Sequence, residues 1–493
     1  MNILFIYPKY PETFWSFEHV LKFISRKAAF PPLGLMTVSS MLPKGINRKL
    51  LDLNVDNLND KDIMWADYIF VSAMIVQKDS VTYVVKRAKE HKKTVVAGGP
   101  LFSQDNISEF PEIDHFVLNE GEITFPMFLD DLINNKNVLK KTYSSDKKPD
   151  LSLSPVPDWN LIRKKNYATM LVQFSRGCPY DCEFCDITLL NGRIPRTKSP
   201  SQMIRELNSL HRAGWRGSVF VVDDNFIGHK KKVKEVLRSI IQWQKSKNYP
   251  FSFLTEASLE LSDDQELMTL MADANFKTVF LGLETPSKES LAECNKFQNT
   301  QRDLVDSVKI LQQNGFQVQG GFIVGFDSDN HSIFERQIEF IQTIGVVTAM
   351  VGLLNAIPGT KLYRRLKKEG RIITDSNGNN TDGTLNFIPK MDPKILKEGY
   401  KKILKTIYSP KKYYERILRF LENYNPKQIS RGLNLNEIKA FLLSIWKLGI
   451  IDKERKYYWK LLFKSIFRYP KAFPEVVTFT IYGFHFKRVA ANI

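Results

Sequence analysis

The sequence predicts an α/β protein in three parts: a parallel α/β domain, an incomplete (β/α) barrel of six units and a basic, mostly helical C-terminal block. Three observations predict this. Short apolar runs alternate with helical patterns over residues 1–135, a strand–helix unit repeats six times over residues 168–392, and Lys and Arg dominate residues 393–493. Strands joined through about 10–15 residues of helix form βαβ units with parallel strands.

Composition narrows the class of protein. A chain of 493 residues is long enough for two or three domains, and four cysteines favour a reducing compartment over a disulfide scaffold. The start, MNILFIYPKYPETFW, lacks the basic segment of a signal peptide, and no stretch of about 18 apolar residues predicts a membrane span. We therefore expect a cytoplasmic protein.

The first domain, residues 1–135, has the pattern of a Rossmann-like sheet covered by helices on both faces. Its predicted strands are NILFIY, KLLDL, YIFVSA, TVVAGG and HFVLNE. Its predicted helices are LGLMTVSSML, DSVTYVVKRAKEH and ITFPMFLDDLI. Residues 136–167 are rich in Lys, Ser and Pro, supply little to bury, and are predicted to be a linker.

The second domain, residues 168–392, has the pattern of a partial TIM-like barrel. Its six predicted strands are MLVQFS, SVFVVD, FSFLTE, TVFLGLE, VQGGFIVG and AMVGLLN. In such barrels the chemistry lies at the carboxyl ends of the strands. Five of the six units end in polar residues, namely the cysteines after the first strand, Asp223-Asp224-Asn225, Glu256, Glu284 and Asn355. A single acid at a strand end is often a helix cap, but five such ends on one rim favour a site.

Three cysteines lie within eight residues, in the stretch SRGCPYDCEFCDI. A closed zinc site requires a fourth Cys or His ligand nearby. No His lies between Phe116 and Leu210, and Cys294 is more than 100 residues away. Three thiolates suit a metal cluster that keeps one position open.

The spacing Cys178-x₃-Cys182-x₂-Cys185, with Phe184 before the third cysteine, resembles the motif of the radical S-adenosylmethionine (SAM) superfamily. The resemblance implies that these thiolates hold a [4Fe–4S] cluster and that SAM chelates the open iron. Reductive cleavage of SAM then gives methionine and a 5′-deoxyadenosyl radical. It also implies the following SAM contacts: Phe184, Asp223, Asp224, Asn225, Glu256, Ser258, Glu284 and Gly325. The stretch GGFIVG that contains Gly325 equally fits a bulged barrel strand.

A parallel α/β domain before such a barrel resembles the cobalamin-dependent radical SAM subclass. The matching segments include VSAMIVQ, VVAGGP and NEGEIT. The implied cobalamin contacts are Ser72, Met74, Gln77, Gly98, Gly99, Glu120 and Gly121. The Asp-x-His-x-x-Gly motif that supplies a lower cobalt ligand in other cobalamin domains is absent. Met74 or Gln77 is the candidate for that position, although a buried core Met explains Met74 as well.

The basic excess belongs to the C-terminal block. From Lys401 to Ile493 there are 20 Lys and Arg against 6 Asp and Glu, so this segment carries +14 of the +18 net charge. Basic helices interleaved with Trp and Tyr are typical of membrane-surface elements. They also fit a cover over an apolar substrate pocket, or an ordinary solvated face.

A closer similarity extends from the first domain through the segments FQNTQRDLV, FIVGFDSD, LLNAIPGTKLY, NTDGTLNFIPKM and IYSPKKYY. With these segments the whole chain resembles the hopanoid C-2 methylase type of cobalamin-dependent radical SAM protein. This implies a C-methyltransferase that acts on an unactivated carbon of an apolar, lipid-like substrate, through the deoxyadenosyl radical and methylcobalamin. We expect a flavodoxin or ferredoxin as electron donor, peripheral contact with the inner face of an anionic membrane, and no nucleic-acid partner. Cys294 is either a radical-quenching residue or an ordinary helix cysteine.

Three alternatives stay open. A cobalamin-containing radical SAM enzyme can cyclise, rearrange or oxidise its substrate without methyl transfer. An RNA-modifying enzyme would explain the positive charge, although the chain has no second cysteine cluster. A non-enzymatic protein would bind cobalamin without cleaving SAM.

Overall fold

The computed structural model describes residues 1–134, 139–379, 381–427 and 435–492. Residue 135 of the predicted first domain, residues 136–138 of the predicted linker, and residues 380, 428–434 and 493 lie outside the described residues.

The first sheet has six parallel strands. They are β1 Asn2–Tyr7, β2 Asn47–Asp52, β3 Tyr68–Ser72, β4 Thr94–Gly98, β5 His115–Val117 and β6 Thr142–Tyr143, in the order β2-β1-β3-β4-β5-β6. In β1, Ile3 and Phe5 pack on one face and Leu4 and Ile6 on the other, all fully buried. The alternation of strand side chains therefore gives both faces an apolar layer, which helices must cover.

These helices are α1 Glu18–Leu21, α2 Leu33–Ser40, α3 Asp60–Trp65, α4 Lys78–Glu90 and α5 Gly121–Asn134. The predicted linker contributes β6 at the edge of the sheet. Within it Tyr143 is buried, and its hydroxyl donates a hydrogen bond of 2.9 Å to Asp131 on α5. The β6 part of this segment therefore packs onto the first domain.

The second sheet also has six parallel strands. They are β7 Met170–Val172, β10 Gly217–Val221, β11 Phe251–Ala257, β12 Phe276–Glu284, β13 Gln317–Val324 and β14 Thr348–Leu353. Their order, β14-β13-β12-β11-β10-β7, follows the chain without a reversal, as in an open (β/α) barrel. The intervening and following helices are α6 Ile187–Leu190, α7 Pro200–Arg212, α8 Lys230–Ser246, α9 Gln265–Asp273, α10 Lys288–Glu293, α11 Phe297–Thr300, α12 Leu304–Gln313, α13 Ile333–Ile344 and α14 Lys361–Lys368.

A small antiparallel ribbon follows the first barrel strand. It pairs β8 Ser175–Arg176 with β9 Arg196–Thr197, so it closes the base of a loop that runs from 177 to 195. Gly177 starts this loop with φ +101°, and a Cβ there would lie 2.9 Å from the carbonyl oxygens of Gly192 and Ile194. Only glycine fits this turn without strain.

The C-terminal block is helical: α15 Pro393–Ile407, α16 Pro410–Asn423, α17 Leu435–Ser444, a π-helical segment Ile445–Ile451, α18 Arg455–Arg468 and α19 Phe473–Ala491. Buried Arg416 joins it to the barrel, because its guanidinium donates to the carbonyl oxygens of Ile407 at 2.8 Å and Val347 at 3.2 Å. On the first domain, Phe14 stacks on Phe486 of α19 at 5.0 Å. Among the described residues, no helix is both long and apolar enough to cross a membrane.

Candidate cofactor site

A cavity of about 850 Å³ lies between the first sheet and the cysteine loop of the barrel. Its first wall consists of α2 and the residues that follow β3, β4 and β5, at the carboxyl edge of the sheet. Its second wall includes Arg176, Asp186, Ile187 and Asn191 from the barrel. Crevices at the carboxyl edge of parallel sheets are the usual ligand sites of such folds.

Cys178, Cys182 and Cys185 lie on the 177–195 loop. The Cys178 amide donates to the Gly192 carbonyl at 3.2 Å, and the Cys185 amide donates to the Cys182 carbonyl at 3.2 Å, so the loop backbone is fixed. Burial raises the pKa of all three thiols, that of Cys185 to about 12. Within the described chain, no three His, Cys, Asp or Glu side chains are placed to hold a single metal ion. Three neutral thiols on one ordered loop fit a cluster whose irons would deprotonate them.

Cys294 lies outside the loop that carries this set, at the end of α10. Its side chain is 2% exposed and packs with Phe326 and Leu354, and its thiol donates to the Leu291 carbonyl at 3.5 Å. Its own carbonyl accepts a hydrogen bond of 2.9 Å from the amide of Glu183, within the cysteine loop. Cys294 therefore supports that loop through its backbone.

The Asp223-Asp224-Asn225 stretch supports the cysteine loop. Buried Asp223 accepts hydrogen bonds from the amides of Phe174 and Ser175, both at 2.8 Å, and burial raises its pKa to about 7. Asp224 accepts from the Gly177 amide at 2.7 Å and lines the cavity. Asn225 accepts from the amide of Ser258 at 3.2 Å, which ties the second strand end to the third.

Glu256 is an acid in this region whose carboxylate has no hydrogen-bond partner among the described residues. It lies on the partly accessible face of β11, and no described residue donates a hydrogen bond to its carboxylate. Burial, together with the negative charges of Asp224 and Asp223, raises its pKa to about 8. A recessed carboxyl group without a protein partner is available to a ligand.

Glu284 and Lys296 form a buried ion pair beside Cys182. Glu284 ends β12 at a bulge and has φ +61°, an uncommon conformation for a residue with a side chain. Burial lowers the pKa of Lys296, but the charge of Glu284 outweighs this and leaves it raised. Sequence reasoning selected Glu284 and missed Lys296, although both lie close to the cysteine loop.

Two other predicted SAM contacts are Phe184, on the cysteine loop, and Gly325, directly after β13. Phe184 packs against the apolar cluster that contains Cys294. Gly325 donates to Asp329 at 2.8 Å, and its φ is +106°. A Cβ at Gly325 would lie 3.1 Å from Leu396 of α15, so this glycine permits the C-terminal block to approach the barrel.

Most of the predicted cobalamin contacts line the cavity. These are Ser72, Met74, Gly98, Gly99, Glu120 and Gly121. Gln77 is buried instead: it accepts from the Met74 amide at 2.9 Å and donates to the Pro8 carbonyl. Gly99 has φ +92°, and a Cβ there would lie 2.7 Å from Ser72 Oγ and 2.8 Å from the Ala73 carbonyl oxygen. The backbone therefore requires glycine at this position whatever the cavity holds.

Four charged side chains join the two walls, and we name them the joint: Glu120, Glu122, Arg176 and Arg196. Arg176 donates to Glu122 at 2.8 and 2.9 Å and to Glu120 at 2.9 Å. Arg196 donates to Glu120 at 2.8 and 3.0 Å. Burial raises the pKa of Glu122, but the bonds from Arg176 outweigh it and leave this pKa lowered. The sequence analysis selected neither arginine, although the two flank the cysteine loop in the sequence.

Comparison with known proteins identifies the class. Residues 172–341 match the radical SAM superfamily, and residues 360–493 match a domain of unknown function, DUF4070. An uncharacterized methyltransferase of Synechocystis sp. is 41% identical over 99% of this chain and 91% of its own length. The hopanoid C-2 methylase of Rhodopseudomonas palustris is 30% identical over 95% of this chain and 90% of its own length. The chain therefore belongs to the radical SAM superfamily, in the family that includes these two proteins.

Solved structures show the same fold. The cobalamin-dependent radical SAM enzyme OxsB, with aqua-cobalamin and SAM bound, is 15% identical with a TM-score of 0.63, covering 99% of this chain and 79% of that one. The methyltransferase TsrM from Kitasatospora setae, with cobalamin and a [4Fe–4S] cluster bound, is 12% identical with a TM-score of 0.64, covering 93% of this chain and 98% of that one. The predicted fold class and the prediction of a radical SAM enzyme are confirmed, and the expected cofactors agree with this fold.

Proposed function

We propose that the protein is a cobalamin-dependent radical SAM C-methyltransferase. The observation that carries the proposal is the cavity of about 850 Å³, whose walls are the carboxyl edge of the first sheet and the cysteine loop. This arrangement would bring a cofactor on the first domain next to one on the barrel. The names of the two similar full-length relatives, a methyltransferase and a methylase, support methyl transfer.

The barrel residues would hold the cluster and SAM. Cys178, Cys182 and Cys185 would ligate three irons, and bound SAM would supply the 5′-deoxyadenosyl radical. Glu256 would accept hydrogen bonds from SAM, because its carboxylate is otherwise without a donor. Asp223, Asp224 and Asn225 would act mainly by holding the cysteine loop in place.

The first domain would hold cobalamin, which would carry the methyl group. Ser72, Gly98, Gly99 and Gly121 would surround it with little side-chain bulk. Met74 is 39% exposed and lines the cavity, so its side chain would contact the bound cofactor. Gln77 would position Met74 through the hydrogen bond to its amide.

We propose an apolar substrate. Aromatic side chains from the first domain contact the partly accessible face of the barrel strands: Trp15 lies 5.3 Å from Phe280, and Phe30 lies 5.7 Å from Phe220, between ring centroids. Trp15 also lines the cavity. A lipid-like molecule would find apolar walls there, and an anionic membrane would be the place where it is encountered. A flavodoxin or ferredoxin would supply the electron.

The test is anaerobic reconstitution of the full chain with iron, sulfide and cobalamin, followed by SAM and a reductant. We expect bound cobalamin, 5′-deoxyadenosine, and transfer of a methyl group from labelled SAM to bound cobalamin. Cobalamin binding without SAM cleavage would contradict the enzyme assignment. Deoxyadenosine without methyl transfer to cobalamin would favour cyclisation, rearrangement or oxidation instead.

A further inference from the structure

A stripe of exposed apolar side chains runs along α17 and the π-helical segment after it. Ile438, Leu442, Trp446 and Ile450 recur every fourth residue and are 43%, 60%, 56% and 51% exposed. Side chains four apart lie on one face of a helix. Apolar side chains scattered singly need no explanation, but a stripe of four on one face does.

A second stripe lies on α18. Phe463, Ile466 and Phe467 are 56%, 46% and 84% exposed and occupy one side of that helix. Trp459 connects the stripes, because its indole donates to the Gly449 carbonyl at 2.8 Å and its ring stacks on Phe463 at 5.7 Å. The two stripes therefore belong to one surface, which we name the hairpin face.

The hairpin face has a basic surround. Between Ile438 and Lys471 the chain has nine Lys and Arg but only two acids, Asp452 and Glu454. Glu454 forms an ion pair of 2.5 Å with Lys487, so its negative charge offsets the surrounding Lys and Arg less. The exposed basic side chains on α18 are Arg455, Lys456, Lys460, Lys464 and Arg468.

We propose that the hairpin face docks onto an anionic lipid bilayer. Exposed Trp, Phe and Ile side chains bury in the headgroup region while surrounding Lys and Arg attract anionic headgroups. The inference rests on the proposed function in one respect: a membrane supplies an apolar substrate. The C-terminal block also reaches the cavity region, because α19 stacks on Phe14, and the neighbours Thr13 and Trp15 line the cavity.

The test is co-sedimentation of the full reconstituted chain with vesicles of phosphatidylcholine, with and without phosphatidylglycerol, at low and high salt. We expect binding only to the anionic vesicles, weakened by salt. The double change Phe463→Ser with Phe467→Ser should weaken binding about tenfold or more, since it removes the two most exposed aromatic rings of α18. Lys460→Glu with Lys464→Glu should weaken it about tenfold at low salt.

Matched controls use exposed residues on other helices, α3, α5 and α8. Met64→Ser with Met127→Ser, at 56% and 45% exposure, and Lys231→Glu with Lys245→Glu on α8 should bind vesicles as the unchanged protein does. No binding by the unchanged protein, equal binding to neutral vesicles, or equal loss in the controls would overturn the proposal. SAM cleavage is measured on the same samples. Cleavage without vesicle binding refutes the docking face alone, whereas vesicle binding without cleavage refutes the proposed function alone.

Discussion

Arg176 donates two hydrogen bonds, of 2.8 and 2.9 Å, to the buried carboxylate of Glu122. Arg176 belongs to the ribbon that closes the cysteine loop, and Glu122 belongs to the first turn of α5. The pair therefore joins the barrel to the first domain at the edge of the cavity that both enclose. The distance between the two cofactors would depend on this joint.

The first prediction concerns the joint. Arg176→Met should lower the free energy of unfolding by about 3–5 kcal/mol, because it leaves the buried carboxylate of Glu122 without its main partner. Arg193→Met is the matched control: Arg193 is 58% exposed, its ion pair with Asp181 measures 3.7 Å, and its loss should cost less than about 1 kcal/mol. Urea denaturation of both variants measures the difference. An equal loss of unfolding free energy in the two variants would show that the joint stabilises the protein no more than an exposed ion pair does.

The second prediction concerns the cysteines. Replacing Cys178, Cys182 or Cys185 with Ala should abolish both the cluster and SAM cleavage, and the unchanged chain should hold about four irons. The Cys294→Ala variant should retain the iron of the unchanged protein, because the Cys294 thiol lies in an apolar cluster. The substitution also leaves the backbone carbonyl at this position, which accepts the hydrogen bond from the cysteine loop. Iron analysis and the visible absorption of the cluster measure this. Loss of iron in Cys294→Ala would make Cys294 a fourth ligand and remove the open iron.

The third prediction concerns the cobalamin cavity. Gly99 is unsuitable for a test, because any side chain there strains the backbone. Gly34 lines the cavity on α2, and a Cβ there would meet no atom within 4 Å. Gly34→Phe should therefore fold normally, fill the cavity and prevent cobalamin binding, as measured by cobalt content after gel filtration. Lys86→Phe, at an exposed position on α4, is the control and should bind normally. Full cobalt content in Gly34→Phe would place cobalamin elsewhere.

The fourth prediction concerns pH. Asp52 is 1% exposed, and burial raises its pKa to about 6, despite hydrogen bonds from Asn54 and Tyr167. Because the folded protein binds this proton more tightly than the unfolded chain does, protonation of Asp52 stabilises the fold. The stabilisation is complete below about pH 4 and is lost as the pH rises towards 6. In the unchanged protein the free energy of unfolding should therefore fall by about 3 kcal/mol over this pH range. Asp52→Asn, which keeps an oxygen acceptor for Asn54, should remove this fall. Denaturation at pH 4, 5, 6 and 7 should show it, and exposed Asp105→Asn should keep the original profile. An unchanged profile in Asp52→Asn would contradict the prediction.

The sequence predicts most of the fold because its signals are local. Strand β1 occupies NILFIY as predicted, and each of the six barrel strands overlaps its predicted run, with ends that differ by one to three residues. Alternation and turn residues determine such elements within a few positions. Strand β6 was missed, because its two residues carry no period, and it forms only by pairing with β5 at the sheet edge.

The site is predicted less completely because charged partners come from distant segments. The cysteine spacing predicts a cluster on the cysteine loop, but the bond from Arg176 to Glu122 spans 54 residues, and the pattern of neither segment indicates it. Gln77 was predicted to lie in the cobalamin site, but it lies behind Met74. Sequence shows which residues follow a strand, and only packing decides whether a side chain faces the cavity or supports a neighbour.

The most direct measurement of the central claim compares lipids and metabolites by mass spectrometry. A strain that lacks this gene would be complemented with either the unchanged gene or Cys182→Ala, and both would be fed methyl-labelled methionine. We predict that an apolar product with an intact labelled methyl on carbon is present with the unchanged gene and absent with the Cys182→Ala variant. Identical labelled products in the two strains, or a missing product without the labelled methyl, would contradict the assignment as a radical SAM C-methyltransferase.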